Sequence, residues 1–314
     1  MKPQEIKGLW LGLLGVAIFA LTLPMTRLAV GTPEAPQMSG LFIALGRAVV
    51  AAGLSALFLL ATRAPRPRRE DWLPLALTAA GVVFGFPLFS SVAMRYVEAV
   101  HAAVIIGVLP LATALVGALL HKQRPSPGFW ICGVIGSALV VGFALVKSGS
   151  SLSLHAADAL LLAAVACAAV GYGYGARLSQ RMRAEHVICW ALVISLPLTL
   201  PFAFWSRPAA PVAASAWWAF AYVAVFSMWI GFFAWYRGLA LGGTVRVSQV
   251  QLVQPFLSML FAVPLLGERL DAMTLGFALA VIATVFIGKK MPVQARTPLE
   301  RKLFVPNIVP AEKP

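Results

Sequence analysis

Residues 108–124 read VLPLATALVGALLHKQR, and residues 253–269 read VQPFLSMLFAVPLLGER. Placing Pro110 on Pro255, at an offset of 145 residues, also sets Val108 on Val253, Leu115 on Leu260, Leu120 on Leu265 and Arg124 on Arg269. Thr113 meets Ser258 in the same alignment. The identities are few, and the order of features carries more. Each stretch is an apolar run with a proline inside it and ends in polar residues before another apolar run begins. Counting outward gives five apolar runs per half. Five is odd, so two such halves have opposite topology in a membrane. Inverted repeats around a midplane site are the arrangement of secondary transporters and permit alternating access.

Composition agrees that the chain is embedded in lipid. Of 314 residues, 60% are hydrophobic and only 11% are charged. A soluble domain carries roughly 25% charged residues, so a soluble enzyme, a disordered chain and a nucleic-acid module are excluded. A bilayer-crossing helix needs about 20 apolar residues. Ten runs qualify: 8–30, 38–62, 72–94, 100–120, 127–146, 156–178, 186–206, 215–238, 245–266 and 271–288. The expected fold is all-α and integral to the membrane, with ten transmembrane helices in two inverted five-helix repeats. The first repeat is 1–148, the second is 149–290, and 291–314 is a proline-rich tail expected to be disordered and cytoplasmic. Breaker residues such as Arg63-Ala64-Pro65-Arg66-Pro67, Arg124-Pro125-Ser126-Pro127 and Gly149 with its serines punctuate the runs.

The net charge of +14 is distributed by side. With the N-terminus inside, 19 Lys and Arg fall in inner segments, 5 in outer ones, and Arg47 alone lies within a span. Positive charge marks the cytoplasmic side, so both termini are expected in the cytoplasm of a bacterial-type inner membrane. The cysteines Cys132, Cys167 and Cys189 lie in apolar runs without metal-ligand spacing.

The stretch from Gly231 to Phe286 resembles the drug/metabolite transporter superfamily, and within it the EamA-type ten-helix carriers. The matching elements are Ala234-Trp235-Tyr236-Arg237-Gly238-Leu239-Ala240, Pro255, Leu265-Leu266-Gly267-Glu268-Arg269 and Gly276. The first half matches through Arg47 and Pro110 and departs at Gln123, which stands where the pattern has glutamate. The chain is most similar to the aromatic amino-acid exporters of the YddG type. The resemblance implies a central cavity lined by helices 1, 3, 4, 6, 8 and 9. It implies no cofactor and no catalytic chemistry.

Candidate site residues follow from polar and aromatic positions on those helices. Ser248, Gln251, Pro255 and Ser258 recur at three- and four-residue steps and share a helix face, with Gln254 beside it. A polar face is costly in lipid and must look inward. Proline has no N–H, so Pro110 frees the carbonyl of Ile106 and Pro255 that of Gln251; the two prolines are expected to act as paired hinges. Trp229, Tyr174 and Phe84 are aromatic candidates, and His101 opens the fourth helix at the outer mouth. Gly171, Gly173 and Gly175 read chiefly as a close-packing stripe. Arg47 lies about 13 Å into its helix and reads as structural, because helix 2 does not line the implied cavity. Asp158 and Glu268 read as surface anchors near helix ends. No carboxylate falls at mid-membrane and no phosphate-binding loop is present.

The expected function is secondary export of small metabolites without ATP, down the substrate's own gradient. Amino acids, aromatic or broad in range, are the expected cargo, with lipophilic drugs or other metabolites as the alternative. The expected partners are the substrate and the bilayer, with no nucleic acid and no obligatory protein partner.

Overall fold

The computed structural model describes residues 3–32, 34–96, 102, 105–148, 156–266, 272–288 and 290–295. The apolar runs form helices that account for nearly all of it. In chain order they are α1 (Pro3–Ala20), α2 (Thr22–Val30), α3 (Gly40–Ala61), α4 (Trp72–Ala79) and α5 (Phe86–Ala93). Then come α6 (Leu109–Leu120), α7 (Pro127–Ser148), α8 (Ala156–Leu178), α9 (Ala184–Trp205) and α10 (Ala214–Tyr222). The last four are α11 (Gly231–Gly242), α12 (Thr244–Ser248), α13 (Gln254–Leu266) and α14 (Ala272–Gly288). Starts and stops have local causes. Ser39 Oγ accepts from the Phe42 N–H at 3.0 Å and caps α3. Gly31 and Gly243, at φ of 72° and 81°, turn the chain after α2 and α11.

Among the described residues, six segments are long and apolar enough to cross a membrane. They are Pro3–Val30, Gly40–Ala61, Arg69–Ala93, Ala157–Leu178, Ala184–Trp205 and Ala214–Gly242. Leu109–Leu120, Pro127–Gly142 and Leu275–Gly288 are shorter apolar helices. The run expected over 100–120 lies partly outside the described residues, and the run over 245–266 is divided. The outer surface is apolar, as lipid requires: Trp205 is 77% exposed and Trp218 78%.

Packing pairs helices far apart in sequence. α1 lies along α11, α8 along α4 and α5, α3 along α9, α7 along α14, and α6 against α12. Glycine permits the closest of these. A Cβ on Gly238 would sit 2.7 Å from the Gly12 backbone N, and one on Gly81 would sit 2.7 Å from the Gly171 N. The Gly171, Gly173 and Gly175 stripe meets Val82, Val116 and Tyr236, which is packing of the small-residue kind.

Two expectations need correcting here. Val293–Ala295, placed in the disordered tail, pairs antiparallel with Gln123–Pro125, and Ser126 N–H donates to the Pro292 carbonyl at 3.0 Å. Backbone polar groups of both short segments are thereby satisfied. Asp158, read as a surface anchor, is 4% exposed in the first turn of α8, where the helix N-terminus favours a carboxylate.

Candidate functional site: a cavity where the helices break

Several interruptions of α-helical geometry meet at one place. The first is at Leu21, between α1 and α2. The second and third are π-helical segments, Ala80–Gly85 between α4 and α5 and Val223–Ile230 between α10 and α11. In the first, the Phe86 N–H bonds the Gly81 carbonyl; in the second, the Gly231 N–H bonds the Phe226 carbonyl. These are the same five-residue step at positions 145 residues apart. The fourth is a turn before α6, where the Val108 N–H reaches back three residues to Ile105. The fifth is the 3-10 segment Gln249–Val253 between α12 and α13.

Proline explains the last two. It offers no N–H, clashes with the carbonyl four residues back and disfavours helix in the residue before it. Pro110 and Pro255 were expected inside continuous helices. Instead each is the second residue of a fresh α segment, where its missing donor is harmless. Irregular backbone at membrane depth is tolerated where it lines a cavity. Here all five interruptions do so.

A central cavity lies where these breaks converge. Its aromatic wall is Phe19, Phe86, Tyr172 and Phe232. Its polar lining is Thr22, Arg47, Ser227 and Gln254. Thr22 Oγ1 and Ser227 Oγ share a 2.8 Å hydrogen bond. A second cavity adjoins it through Leu23, Ile106, Leu109 and Gln254, and adds Pro110, Gln251, Pro255 and Ser258.

The sequence candidates divide. Gln251, Gln254, Ser258, Pro110 and Pro255 line these cavities. Neither amide atom of Gln251 has a partner among the described residues. Gln254 Nε2 donates to the Phe19 carbonyl at 3.5 Å, and Ser258 Oγ to the Ala20 carbonyl at 2.5 Å. Ser248 is buried but donates to Val245 O of its own helix at 2.8 Å, outside both cavities. Trp229 also lies outside them; its indole N–H meets Cys189 Sγ at 3.4 Å, and its ring packs on Phe58 and Phe233. Tyr174 and Phe84 do not line either cavity. The residues two positions away on the same runs, Tyr172 and Phe86, do. His101 and Glu268 lie outside the described residues.

Arg47 departs most from its sequence reading. It is 2% exposed and lines the central cavity, with no hydrogen-bond partner for Nε among the described residues. Thr22, Phe19 and Phe232 were missed altogether. A signal for Thr22 existed: it stands two residues before Pro24 within an apolar run, a polar residue beside a helix breaker.

Among the described residues no acid lines the central cavity. Several acids near helix ends form ion pairs. Arg181 meets Glu70 at 3.4 Å and Asp71 at 3.6 Å; Arg237 meets Glu185 at 3.0 Å; Arg246 meets Glu5 at 3.1 Å. His121, just past α6, lies 3.3 Å from Thr244 Oγ1. Burial, with Arg177 nearby, pushes its imidazole below the ordinary 6.5.

Comparison with known proteins finds transporters. The profile described as "EamA-like transporter family" matches residues 6–146 and 155–288. "Uncharacterized transporter YdeK" of Bacillus subtilis (strain 168) is 43% identical over 281 residues, covering 89% of this chain and 96% of the relative. An "Uncharacterized transporter" of Archaeoglobus fulgidus is 23% identical over 228 residues, covering 71% of this chain and 78% of the relative. A solved crystal structure with 18% identity superposes with a TM-score of 0.69 over 90% of this chain and 97% of the other. That last likeness concerns the fold alone.

Proposed function

Because the chain belongs to the EamA-like transporter family, and is a multi-pass membrane protein that moves small molecules, we propose that it exports amino acids, aromatic or broad in range. One observation carries this reading. The central cavity joins an aromatic wall to a few polar groups, and Gln251, in the adjoining cavity, keeps both amide atoms free. An apolar side chain and a zwitterionic head need such a combination.

Transport proceeds by alternating access of two inverted five-span repeats, ten spans in all, without ATP. Three observations support this. The family match falls in two stretches of similar length. The π bonds Phe86 to Gly81 and Gly231 to Phe226 recur at the offset of the paired prolines. The helix pairings also exchange: α1 with α11 becomes α8 with α5 when the halves are swapped. Pro110 and Pro255 then serve as matched weak points at the breaks before α6 and α13. With no acid among the described residues of the central cavity, movement follows the substrate's own gradient. In this reading the chain is a carrier rather than an enzyme. It lies in a bacterial-type inner membrane with both termini cytoplasmic, as the 19-to-5 distribution of Lys and Arg supports.

The test is counterflow of labelled amino acids in proteoliposomes. Exchange of phenylalanine or other amino acids is the expected outcome, and failure of all twenty would contradict it. Accumulation that collapses with a protonophore would contradict the uncoupled mechanism. Export of lipophilic drugs is the second reading, favoured by the four aromatic rings of the cavity wall. Drug efflux without amino-acid exchange would establish it.

A further inference from the structure

We propose that Arg47 is the carboxylate anchor of the transport site, so that the carrier accepts small apolar molecules bearing a carboxylate and rejects cations that lack one. The proposal rests on the central cavity being the site of transport, as argued above.

A charged side chain at membrane depth is costly and marks function unless it is paired. Arg47 sits in the second third of α3, is 2% exposed and lines the central cavity. Its Nε has no hydrogen-bond partner among the described residues. Among the described residues no Asp or Glu lines the cavity to neutralise it. Glu185 pairs with Arg237 and Asp71 with Arg181.

A guanidinium presents a planar fork of N–H donors that matches a carboxylate through two parallel hydrogen bonds. A carboxylate entering this cavity gains that pairing away from water. It also relieves an uncompensated buried charge, so the anionic group contributes more here than it would at a surface. The rest of the wall defines the remainder of the ligand. Phe86, Tyr172 and Phe232 offer an apolar and aromatic surface. Thr22, Ser227 and Gln254 supply neutral oxygens. Those oxygens can accept hydrogen bonds from an ammonium but carry no charge to balance one. A zwitterion is therefore held by its carboxylate, and its ammonium is tolerated rather than required. A bare amine meets the Arg47 charge with nothing to offset it.

Four probes that share one phenyl ring separate these roles: L-phenylalanine, 3-phenylpropanoate, L-phenylalaninamide and 2-phenylethylamine. Binding to the purified full chain in detergent is measured by calorimetry, and exchange in proteoliposomes. The two carboxylates are expected to bind, and the amide and the amine are not. In Arg47→Gln, affinity for the carboxylates should fall roughly 10- to 100-fold, the loss expected for a hydrogen bond to a charged group. Arg47→Lys keeps the charge and should restore part of it. Equal binding of phenylethylamine and phenylpropanoate overturns the proposal, as does unchanged carboxylate affinity in a folded Arg47→Gln protein. Failure of all four probes to bind also overturns it. Should Arg47→Gln not fold, the four-probe comparison on the unaltered chain still decides. Binding of phenylpropanoate but not phenylalanine would sustain the anchor and remove the amino-acid reading. Equal exchange of phenylalanine and its amide would do the reverse.

Discussion

Thr22 Oγ1 and Ser227 Oγ lie 2.8 Å apart at the wall of the central cavity, although 205 residues separate them in sequence. Thr22 begins the helix that follows the break at Leu21, and Ser227 lies inside the second π segment. Two irregular stretches of backbone are thus tied by their side chains. Thr22→Val keeps the shape and strands the Ser227 hydroxyl, at a cost of about 1 kcal/mol. Ser227→Ala should cost about the same. The double variant should be less destabilised than the sum of the two, because no lone hydroxyl remains. Thermal melts of the four proteins in detergent complete this cycle; strict additivity would show that the bond is not formed.

Gln251 couples stability to transport in the opposite direction. Its amide is buried and unpartnered among the described residues, an arrangement that costs the folded chain free energy. Gln251→Leu should raise the melting temperature, by a gain of about 1 kcal/mol, while lowering the exchange rate. Gln254→Leu, which also removes the contact to the Phe19 carbonyl, should lower exchange without the gain in stability. Unaltered exchange in both variants would reduce the two glutamines to packing residues.

Glycine positions separate packing from propensity. A side chain at Gly238 meets backbone atoms of Gly12 and Gly8 at 2.7 and 2.9 Å, so Gly238→Leu must push α1 away from α11. We expect a loss of about 3 kcal/mol, read as a collapse of the monodisperse fraction on size-exclusion chromatography. Gly53 has nothing within 4 Å of such a side chain. Gly53→Ala should instead stabilise by up to about 1 kcal/mol through helix propensity.

His121 sets a pH dependence. Burial holds its folded-state pKa below 6.5, so it takes up a proton more readily once the chain unfolds. The folded chain is therefore at full stability above 6.5 and loses stability as pH falls through the window just below it. The melting temperature should drop as pH falls below 6.5, and His121→Gln should flatten that part of the curve. An unchanged slope in the variant would assign the acid sensitivity to another group.

The membrane class and most helix positions were legible because twenty-residue apolar runs have few alternative meanings. Pro110 and Pro255 marked where two helices break, and Gln251, Gln254 and Ser258 marked one wall of the adjoining cavity. The π segments were legible only in part: VVFGFP ends in Pro87, the second residue of α5, whereas VFSMWIG carries no local sign that a turn will widen. Their widening changes which side chains face inward. Phe84, in the first π segment, was singled out where Phe86 lines the cavity; Tyr174 lies in the regular helix α8, where Tyr172 lines it instead. The role of Arg47 was hidden for a related reason. A single charge in a span reads the same whether its neighbours satisfy it or leave it open to a cavity, and only the packing of α3 beside α5 and the second π segment decides that.

If the cavity at the convergent breaks is the transport site, it opens alternately to the two sides of the membrane. A single cysteine at Ser227, in a chain whose Cys132, Cys167 and Cys189 are replaced by alanine, tests it directly. Membrane-impermeant thiol reagents are applied to the outer or the inner face of oriented proteoliposomes, with and without phenylalanine. Labelling from both faces, slowed on each by substrate, is the expected result. Labelling from one face only, or labelling from both that substrate leaves unchanged, would contradict it.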